Sequence, residues 1–393
     1  MINALCFNRR RSLVNYRNIC FLFILFFSVS CKKSTAIDYN EKPDNFQKIF
    51  LQFWDKMNNQ YVFWDKEQTN WDAVYKEYKP LFEKLSNSEA DQQKAVSYFR
   101  QLSTGLIDNH FNITFNEGAL KNVTINPGYD RKSKAIDFRG RFNYDPIVKT
   151  YLDAGFLSGK GDITDSGVPI SLTAGTINKN LLYFHCNFFA LKESFDLKEG
   201  KAKEILTYFF AQLKGSPVPI KAIILDLRNN NGGNVTDLNF FAGKLIDKDI
   251  SFGYTRAKTG MGKLNYLPWL ESRLKHDPEY QVNVPIILLA DRFSASLSEI
   301  MMIALKSDKN LVIGEQTYGA TGAISNADIF NSGPFTIGNF LSVKTSAVEF
   351  KGIDGTFYEN KGLNPDIYVP FNLTDLAAGR DNQLELAIKI SNK

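Results

Sequence analysis

The sequence has few cysteines and few histidines, and this scarcity excludes several classes of protein. Of 393 residues, four are cysteine and three are histidine. So few cysteines in so long a chain cannot form the dense framework of a small disulfide-rich secreted domain. The histidines and cysteines also lack the spacing of metal ligands, so we expect no metal site and no cofactor.

Beyond its first 30 residues the chain has almost no net charge. Those residues contain Arg9, Arg10, Arg11 and Arg17 and no acidic residue, which leaves 43 of the 47 basic residues to face all 42 acidic ones. A near-neutral body lacks the basic surface that binds phosphate backbones, so we expect no nucleic-acid partner. The hydrophobic content of 44% is that of an ordinary globular protein rather than a disordered chain.

The N-terminus has the pattern of an export signal. The arginines are followed by an apolar run over residues 19–27 and then by small residues before Cys31. This order is that of a signal peptide, and the run is too short to span a bilayer comfortably. Cys31 resembles a bacterial lipoprotein processing site, which predicts a lipid anchor on a protein of the bacterial cell envelope, facing the periplasm or the cell surface. The alternative is a secreted protein in which Cys31 is incidental.

Hydrophobic periodicity divides the chain into segments. We expect a signal peptide over 1–30, a tether over 31–43, a helical domain over 44–115 and an irregular connector of short strands and loops over 116–177. From 178 to 393, apolar strands alternate with amphipathic helices, which predicts an α/β core. In this part, helices are predicted at 196–213, 236–246 and 297–306, and strands at 181–184, 222–227, 285–290 and 311–313. Further helices are predicted at 71–85 and 89–106.

The segment over 285–299 joins a buried strand, a short loop and an amphipathic helix. Ser296 lies at the helix N-terminus, where unpaired backbone N–H groups favour developing negative charge. Ser296 and Glu299 also form the pattern of a capping box, and most serines in that pattern only cap a helix. Taken alone, this segment favours the cap.

A second loop, over 226–233, follows another buried strand and ends in Gly232 and Gly233. Paired glycines let the backbone approach a ligand and direct N–H groups at it, as an oxyanion hole requires. An ordinary turn explains the glycines as well, because Asn and Gly are favoured turn residues. Asp226 and Arg228 in the same loop could simply form a structural ion pair.

Five blocks occur in a fixed order along the chain, at residues 107–110, 226–233, 293–299, 314–319 and 359–366. Together they resemble the tail-specific, or C-terminal processing, serine proteases and their tricorn-type relatives, over residues 45–115 and 178–375. The resemblance implies a crotonase-like α/β catalytic core with a small helical N-terminal domain, and an enzyme that acts on polypeptides. Many members also carry a PDZ module, for which the segment 111–175 is short.

The resemblance assigns the nucleophile and the oxyanion hole. Ser296 would attack the peptide carbonyl and form an acyl-enzyme. The oxyanion would face the N–H of Leu297 and that of Gly232 or Gly233. A serine also needs a general base, because an unassisted hydroxyl is a poor nucleophile at neutral pH.

The general base differs from that of the processing proteases. They use a lysine just after a Thr-Phe-Gly or Thr-Tyr-Gly turn, and this chain has Ala320 there. The tricorn-type arrangement implies a histidine base oriented by a glutamate, and His110 and Glu359 occupy the matching blocks. The other histidines fit other roles, since His185 follows an apolar strand and His276 lies in a polar loop.

We therefore expect an exported, lipid-anchored serine peptidase. The chief alternative is a catalytically inactive binding protein on the same fold, because loss of the lysine is what decay to a pseudoenzyme would look like, and vertebrate retinoid-binding proteins resemble this fold. Retention of Ser296 with both glycines favours the enzyme. The residues give no prediction of the oligomeric state or the natural substrate.

Overall fold

The described part of the chain contains both helices and strands. A computed structural model describes residues 43–136, 138–163, 167–325 and 330–392. The helices are α1 (Phe46–Gln60), α2 (Trp71–Glu83), α3 (Glu89–Ser103), α4 (Pro127–Lys132), α5 (Asp145–Val148), α6 (Leu191–Asp196), α7 (Lys201–Gly215), α8 (Leu297–Leu305), α9 (Leu373–Ala377) and α10 (Asn382–Ser391). The strands are β1 (Asn112–Phe115), β2 (Thr124–Ile125), β3 (Leu157–Ile163), β4 (Pro169–Ile177), β5 (Leu181–Cys186), β6 (Ala222–Asp226), β7 (Ile250–Ala257), β8 (Leu270–Leu274), β9 (Ile286–Ala290), β10 (Leu311–Gly314), β11 (Phe335–Ile337), β12 (Leu341–Lys344), β13 (Val348–Gly352) and β14 (Ile367–Tyr368).

The central sheet has the strand order β14-β10-β9-β6-β5-β4-β3. Its strands from β5 to β14 are parallel, and β3 and β4 join antiparallel at one edge. Every residue of β6 and β9 is buried, which is why both read as continuous apolar runs. One apolar core includes residues of α6, α7 and α8, and a second includes α10 on the other face.

The N-terminal helices pack on a smaller sheet. This sheet has the order β11-β12-β1-β2, and its buried residues share one aromatic-rich core with α1, α2 and α3. The pairing of β1 with β12 places Asn112 opposite Lys344, far apart in sequence. The block that contains His110 is thereby fixed beside the C-terminal third of the chain. A third sheet has the order β13-β7-β8.

The mixed α/β class is confirmed, and two predicted segments need correction. The connector predicted over 116–177 supplies β3 and β4 to the central sheet, so this sheet begins before residue 178. Glycine, serine and threonine interrupt the apolar residues of these strands, so the sequence there lacks the continuous apolar pattern of a buried strand. The helix predicted at 236–246 begins as predicted but is shorter, because residues 236–237 are α-helical, Leu238–Ala242 form a π-helical turn, and turns follow from residue 243.

The predicted signal peptide and Cys31 lie outside the described residues. No described helix has the length and apolar character that crossing a membrane requires.

Candidate active site

Three loops meet at one edge of the central sheet. They follow β6, β9 and β10, which are neighbouring parallel strands. The carboxyl ends of parallel strands lie at the same edge, and ligands bind there in open α/β sheets. The loops contain Gly232, Ser296 and Gly319, so strand order alone brings three of the sequence blocks together.

Ser296 stands immediately before α8 in an unusual backbone conformation. Its φ is 58° and its ψ is −121°, a region that favours glycine. Such a residue costs about 1–3 kcal/mol and persists only where its surroundings enforce it. Its N–H donates to Glu299 Oε2 at 3.0 Å. Ser296 and Glu299 form the capping box that the sequence predicts, and the serine side chain is half-buried.

Gly232 lies directly against this serine. A Cβ on Gly232 would come within 2.6 Å of the Ser296 Cβ and 2.7 Å of the Leu297 nitrogen, so no side chain fits there. The Gly232 N–H donates to Asn230 Oδ1 at 2.8 Å. Among the described residues, the N–H groups of Leu297 and Gly233 donate to no hydrogen bond. Of the predicted oxyanion donors, these two are therefore free to bind an anion.

Asn230 connects the glycine loop to the serine loop. Its side-chain oxygen also accepts a hydrogen bond from Ser298 Oγ at 2.6 Å, and its backbone carbonyl accepts one from Ala295 N at 3.0 Å. Its amide donates to the Cys186 carbonyl at 2.7 Å, which ties both loops to β5. Sequence reasoning gave Asn230 no role beyond that of a turn residue.

Glu299 connects the serine to the third loop. Its buried carboxylate accepts hydrogen bonds from Thr317 Oγ1 at 2.5 Å, Gly319 N at 2.7 Å and Ala320 N at 2.8 Å, besides Ser296 N. Burial raises the pKa of this carboxyl, and the four donors oppose that rise. The buried Ala320 occupies the position of the processing-protease lysine, so that turn offers no basic side chain.

His110 and Glu359 lie together next to Asp108. One ligand atom from each of the three residues falls within 4.8 Å of the other two. The His110 Nδ1 is buried and has no hydrogen-bond partner among the described residues. Both oxygens of Asp108 accept hydrogen bonds from backbone N–H or hydroxyl groups of His110, Thr345 and Ser346.

The Glu359 carboxylate is held in place in the same manner. Its oxygens accept from Asn109 N at 2.8 Å, Gly322 N at 2.8 Å and Thr321 Oγ1 at 3.4 Å. Asp108, His110 and Glu359 include residue types that bind metal ions, and both carboxylates also accept hydrogen bonds from these donors.

Charge and burial shift the pKa values of both groups. Burial lowers the pKa of His110, although Asp108 opposes the change, and Lys344 lowers it further. A neutral imidazole can accept a proton, so this shift suits a base. Burial, followed by the negative charge of Asp108, raises the pKa of Glu359 well above its usual value.

The histidine and serine blocks are joined through Gly319. Its carbonyl accepts hydrogen bonds from Asn109 Nδ2 at 2.7 Å and from Asn360 N at 2.8 Å, and these are the neighbours of His110 and Glu359. Its N–H binds the same carboxylate as the serine N–H. No hydrogen bond joins the His110 ring to the serine hydroxyl within the described structure.

Comparison with known families agrees with this architecture. Residues 181–369 match the model of peptidase family S41, and residues 42–90 match the tricorn protease C1 domain. The chain carries an S41 peptidase domain. This confirms the resemblance to C-terminal processing proteases that the sequence blocks indicated.

Two curated relatives match part of the chain. The carboxy-terminal processing protease CtpA of Bacillus subtilis is 28% identical over 148 residues, which are 37% of this chain and 28% of CtpA. A Staphylococcus aureus protein named "Probable CtpA-like serine protease" is 30% identical over 161 residues, 40% of this chain and 29% of that protein. The chain thus spans less than a third of the length of these relatives.

Solved structures share the fold. A Parabacteroides merdae protein assigned as a peptidase has a TM-score of 0.66 at 22% identity, and the match covers 89% of this chain and 97% of that one. Mature CPAF, solved in complex with lactacystin, has a TM-score of 0.57 at 12% identity and coverage of 88% and 97%.

Other polar residues of the S41 domain have structural partners. The fully buried Arg228 forms ion pairs with Asp226 at 2.6 Å and Asp381 at 2.8 Å. The structural ion pair between Asp226 and Arg228, which the sequence allowed, is therefore present, and Asp381 is its third member. Ser294, two residues before Ser296, is buried and donates to the Leu227 carbonyl at 2.8 Å.

The remaining histidines and Cys186 also have local explanations. His185 Nδ1 lies 2.8 Å from the Asp226 carbonyl oxygen, and His276 Nε2 lies 2.8 Å from the Tyr280 carbonyl oxygen. His276 is half-buried rather than fully exposed. Cys186 is buried, and burial raises the pKa of its thiol well above the usual value.

Proposed function

We propose that this protein is a serine peptidase that cleaves polypeptides through an acyl-enzyme. Ser296 is the nucleophile, His110 is the general base and Glu359 orients the imidazole. The N–H groups of Leu297 and Gly233 bind the oxyanion. The observation that carries the proposal is the strained conformation of Ser296, with the side-chain-free backbone of Gly232 against it. A serine that only caps a helix needs neither feature.

The chemistry follows the usual course of a serine triad. His110 removes the hydroxyl proton of Ser296 while the oxygen attacks the carbonyl carbon. The C–N bond then breaks, and the imidazolium gives its proton to the leaving amine. A water molecule, deprotonated by the same imidazole, hydrolyses the ester and releases the serine. The names of the CtpA relatives support peptide hydrolysis, and the triad with a histidine base compensates for Ala320.

A fluorophosphonate probe tests this proposal, since it labels only an activated serine. The full chain should be labelled, and Ser296→Ala should lose both labelling and peptide hydrolysis. Ser294→Ala is the matched control. Because Ser294 holds the loop through a buried hydrogen bond, its loss should reduce the free energy of unfolding but leave a labelled serine. Labelling that persists in Ser296→Ala would identify a different nucleophile, and an unlabelled wild type would favour the inactive binding protein.

We further propose that the enzyme acts in the bacterial cell envelope, anchored by lipid at Cys31. The order of basic, apolar and small residues before Cys31 supports this location.

A further inference from the structure

A cleft of roughly 530 Å³ opens beside the nucleophile. Ala295, adjacent to Ser296, forms part of its wall, as do residues of the loop after β10. Aromatic rings line much of the rest, namely those of Tyr129, Phe138, Phe293, Tyr318 and Tyr368. A substrate bound at Ser296 would extend a side chain or its chain end into this space.

The charges on the wall are unbalanced. The lining contains three cations, Lys132, Arg141 and Arg292, and one carboxylate, that of Glu315. Glu315 is neutralised within the protein, because Arg139 and Arg292 both form ion pairs with it. Among the residues that line the cleft, three cations therefore face a single carboxylate that is already ion-paired.

Arg141, one of these cations, binds the neighbouring glycine loop. Arg141 donates to the Asn229 carbonyl at 2.8 Å and to the side chain of Asn231, and its guanidinium stacks on Phe293. These contacts fix the glycine loop. Because its guanidinium is used in these contacts, Arg141 supports the loop and is not free to bind substrate.

Lys132 is different. At the end of α4, it is half-buried, and its Nζ lies 4.5 Å from the centroid of the Tyr318 ring. Within the described structure its ammonium forms no ion pair and no hydrogen bond. Burial lowers its pKa, and the carboxylates of Glu299 and Glu359 oppose this without reaching ion-pair distance. A half-buried cation with only a ring face as partner is incompletely satisfied.

We propose that Lys132 binds a carboxylate of the peptide substrate and makes the enzyme selective for peptides that place a carboxylate in this cleft. The proposal rests on the proposed peptidase function. Lys132 thereby determines specificity and takes no part in proton transfer. The aromatic walls would enclose the methylene groups of a Glu side chain while the ammonium binds its oxygens. A C-terminal carboxylate has the same chemistry, and the experiment distinguishes the two sources.

Peptide binding to the full-length Ser296→Ala variant tests the proposal without requiring catalysis. Fluorescein-labelled hexapeptides of alanine and glycine carry one Glu or one Gln, scanned through each position, and end in a free carboxylate or an amide. Fluorescence anisotropy gives the Kd of each. We expect one Glu peptide to bind about tenfold more tightly than its Gln twin, as for a charge-assisted hydrogen bond.

The second half of the test removes the cation. Adding Lys132→Gln should reduce that preference to less than about twofold, whereas Lys132→Arg should retain most of it. Lys134→Gln is the matched control, since Lys134 is exposed, lies two residues away and is not part of the lining. If the C-terminal carboxylate is the ligand, the preference will appear between free and amidated peptides instead.

Several results would overturn the proposal. One is that no peptide with an added or free carboxylate binds more tightly than its Gln or amidated counterpart. Another is a preference that survives Lys132→Gln, or an equal loss of affinity for acidic and neutral peptides. If Lys132 were the general base, its loss would leave binding unchanged and abolish hydrolysis in the enzyme that retains Ser296. Failure of the peptidase function is a separate result, because it appears as absent fluorophosphonate labelling of the wild type.

Discussion

At the scale of single residues, the candidate site contains backbone conformations that lower stability. Ser296 has a positive φ without being glycine, and Gly232 has a φ of 91° in a position where any Cβ would collide with that serine. Each is enforced by neighbours: Glu299 holds the serine N–H, and Asn230 holds the glycine N–H. The strain is thus maintained by hydrogen bonds on either side of Ser296.

The proposed general base, His110, should determine how kcat/KM depends on pH. Because burial lowers the pKa of His110, the imidazole is neutral at pH 7, and kcat/KM should fall as the pH drops through this lowered pKa. Lys344 contributes to the lowering, so Lys344→Met should raise the pKa and move the acid limb to higher pH. His110→Gln should reduce kcat by about 10²–10⁴ fold. A pH series of peptide hydrolysis measures all three.

A control separates this local charge effect from a general one. Lys389→Met removes the same charge from an exposed position on α10 and should leave the acid limb in place. An acid limb that does not respond to Lys344→Met, or that persists in residual activity of His110→Gln, would assign the titration to another group.

At the scale of elements, α8 and the loop after β10 act as one unit through Glu299. Four donors converge on its carboxylate. A glutamine amide keeps only one of the two acceptor oxygens and has a donor in place of the other. Glu299→Gln would place an NH₂ group against backbone N–H groups. We expect the free energy of unfolding to fall by about 1–3 kcal/mol and kcat to fall with it. Chemical denaturation and peptide hydrolysis give the two values.

Glu279→Gln provides the comparison for this change. Glu279 is exposed and forms a surface ion pair with Lys214, so its substitution should alter the unfolding free energy by less than about 1 kcal/mol. Equal stability of the two variants would show that the Glu299 hydrogen bonds do not hold the loop.

The elements also show where sequence patterns suffice. β5, β6, β9 and β10 were predictable because buried parallel strands are continuously apolar, and α8 because its start is marked by Ser296 and Glu299. By contrast, β4 mixes Ser171, Thr173 and Gly175 with its apolar residues, and β3 joins the sheet only by pairing with it. Strand pairing depends on contacts with another segment, so hydrophobic periodicity within one segment does not predict it.

At the scale of the whole molecule, the candidate site depends on contacts between distant parts of the chain. The resemblance could name His110, Ser296 and Glu359, but not their arrangement. That arrangement follows from the β1–β12 pairing and from the hydrogen bonds that converge on Gly319. Lys132 gave no signal at all, because a lysine in an irregular segment becomes a cleft residue only through the packing of α4 against the loop that holds Tyr318.

The position of the molecule in the cell is the remaining property that the sequence predicts. If Cys31 is lipidated, the peptidase domain is attached to a membrane through its N-terminal segment. Cys31→Ser should then move the protein from the membrane fraction of the producing bacterium to the soluble fraction. Its fluorophosphonate labelling should be unchanged, because Cys31 lies outside the peptidase domain. Cys186→Ser is the control, as this buried thiol should not affect partitioning. Mass spectrometry should find a lipid-modified Cys31 at the mature N-terminus, and an unmodified N-terminus elsewhere would refute the anchor.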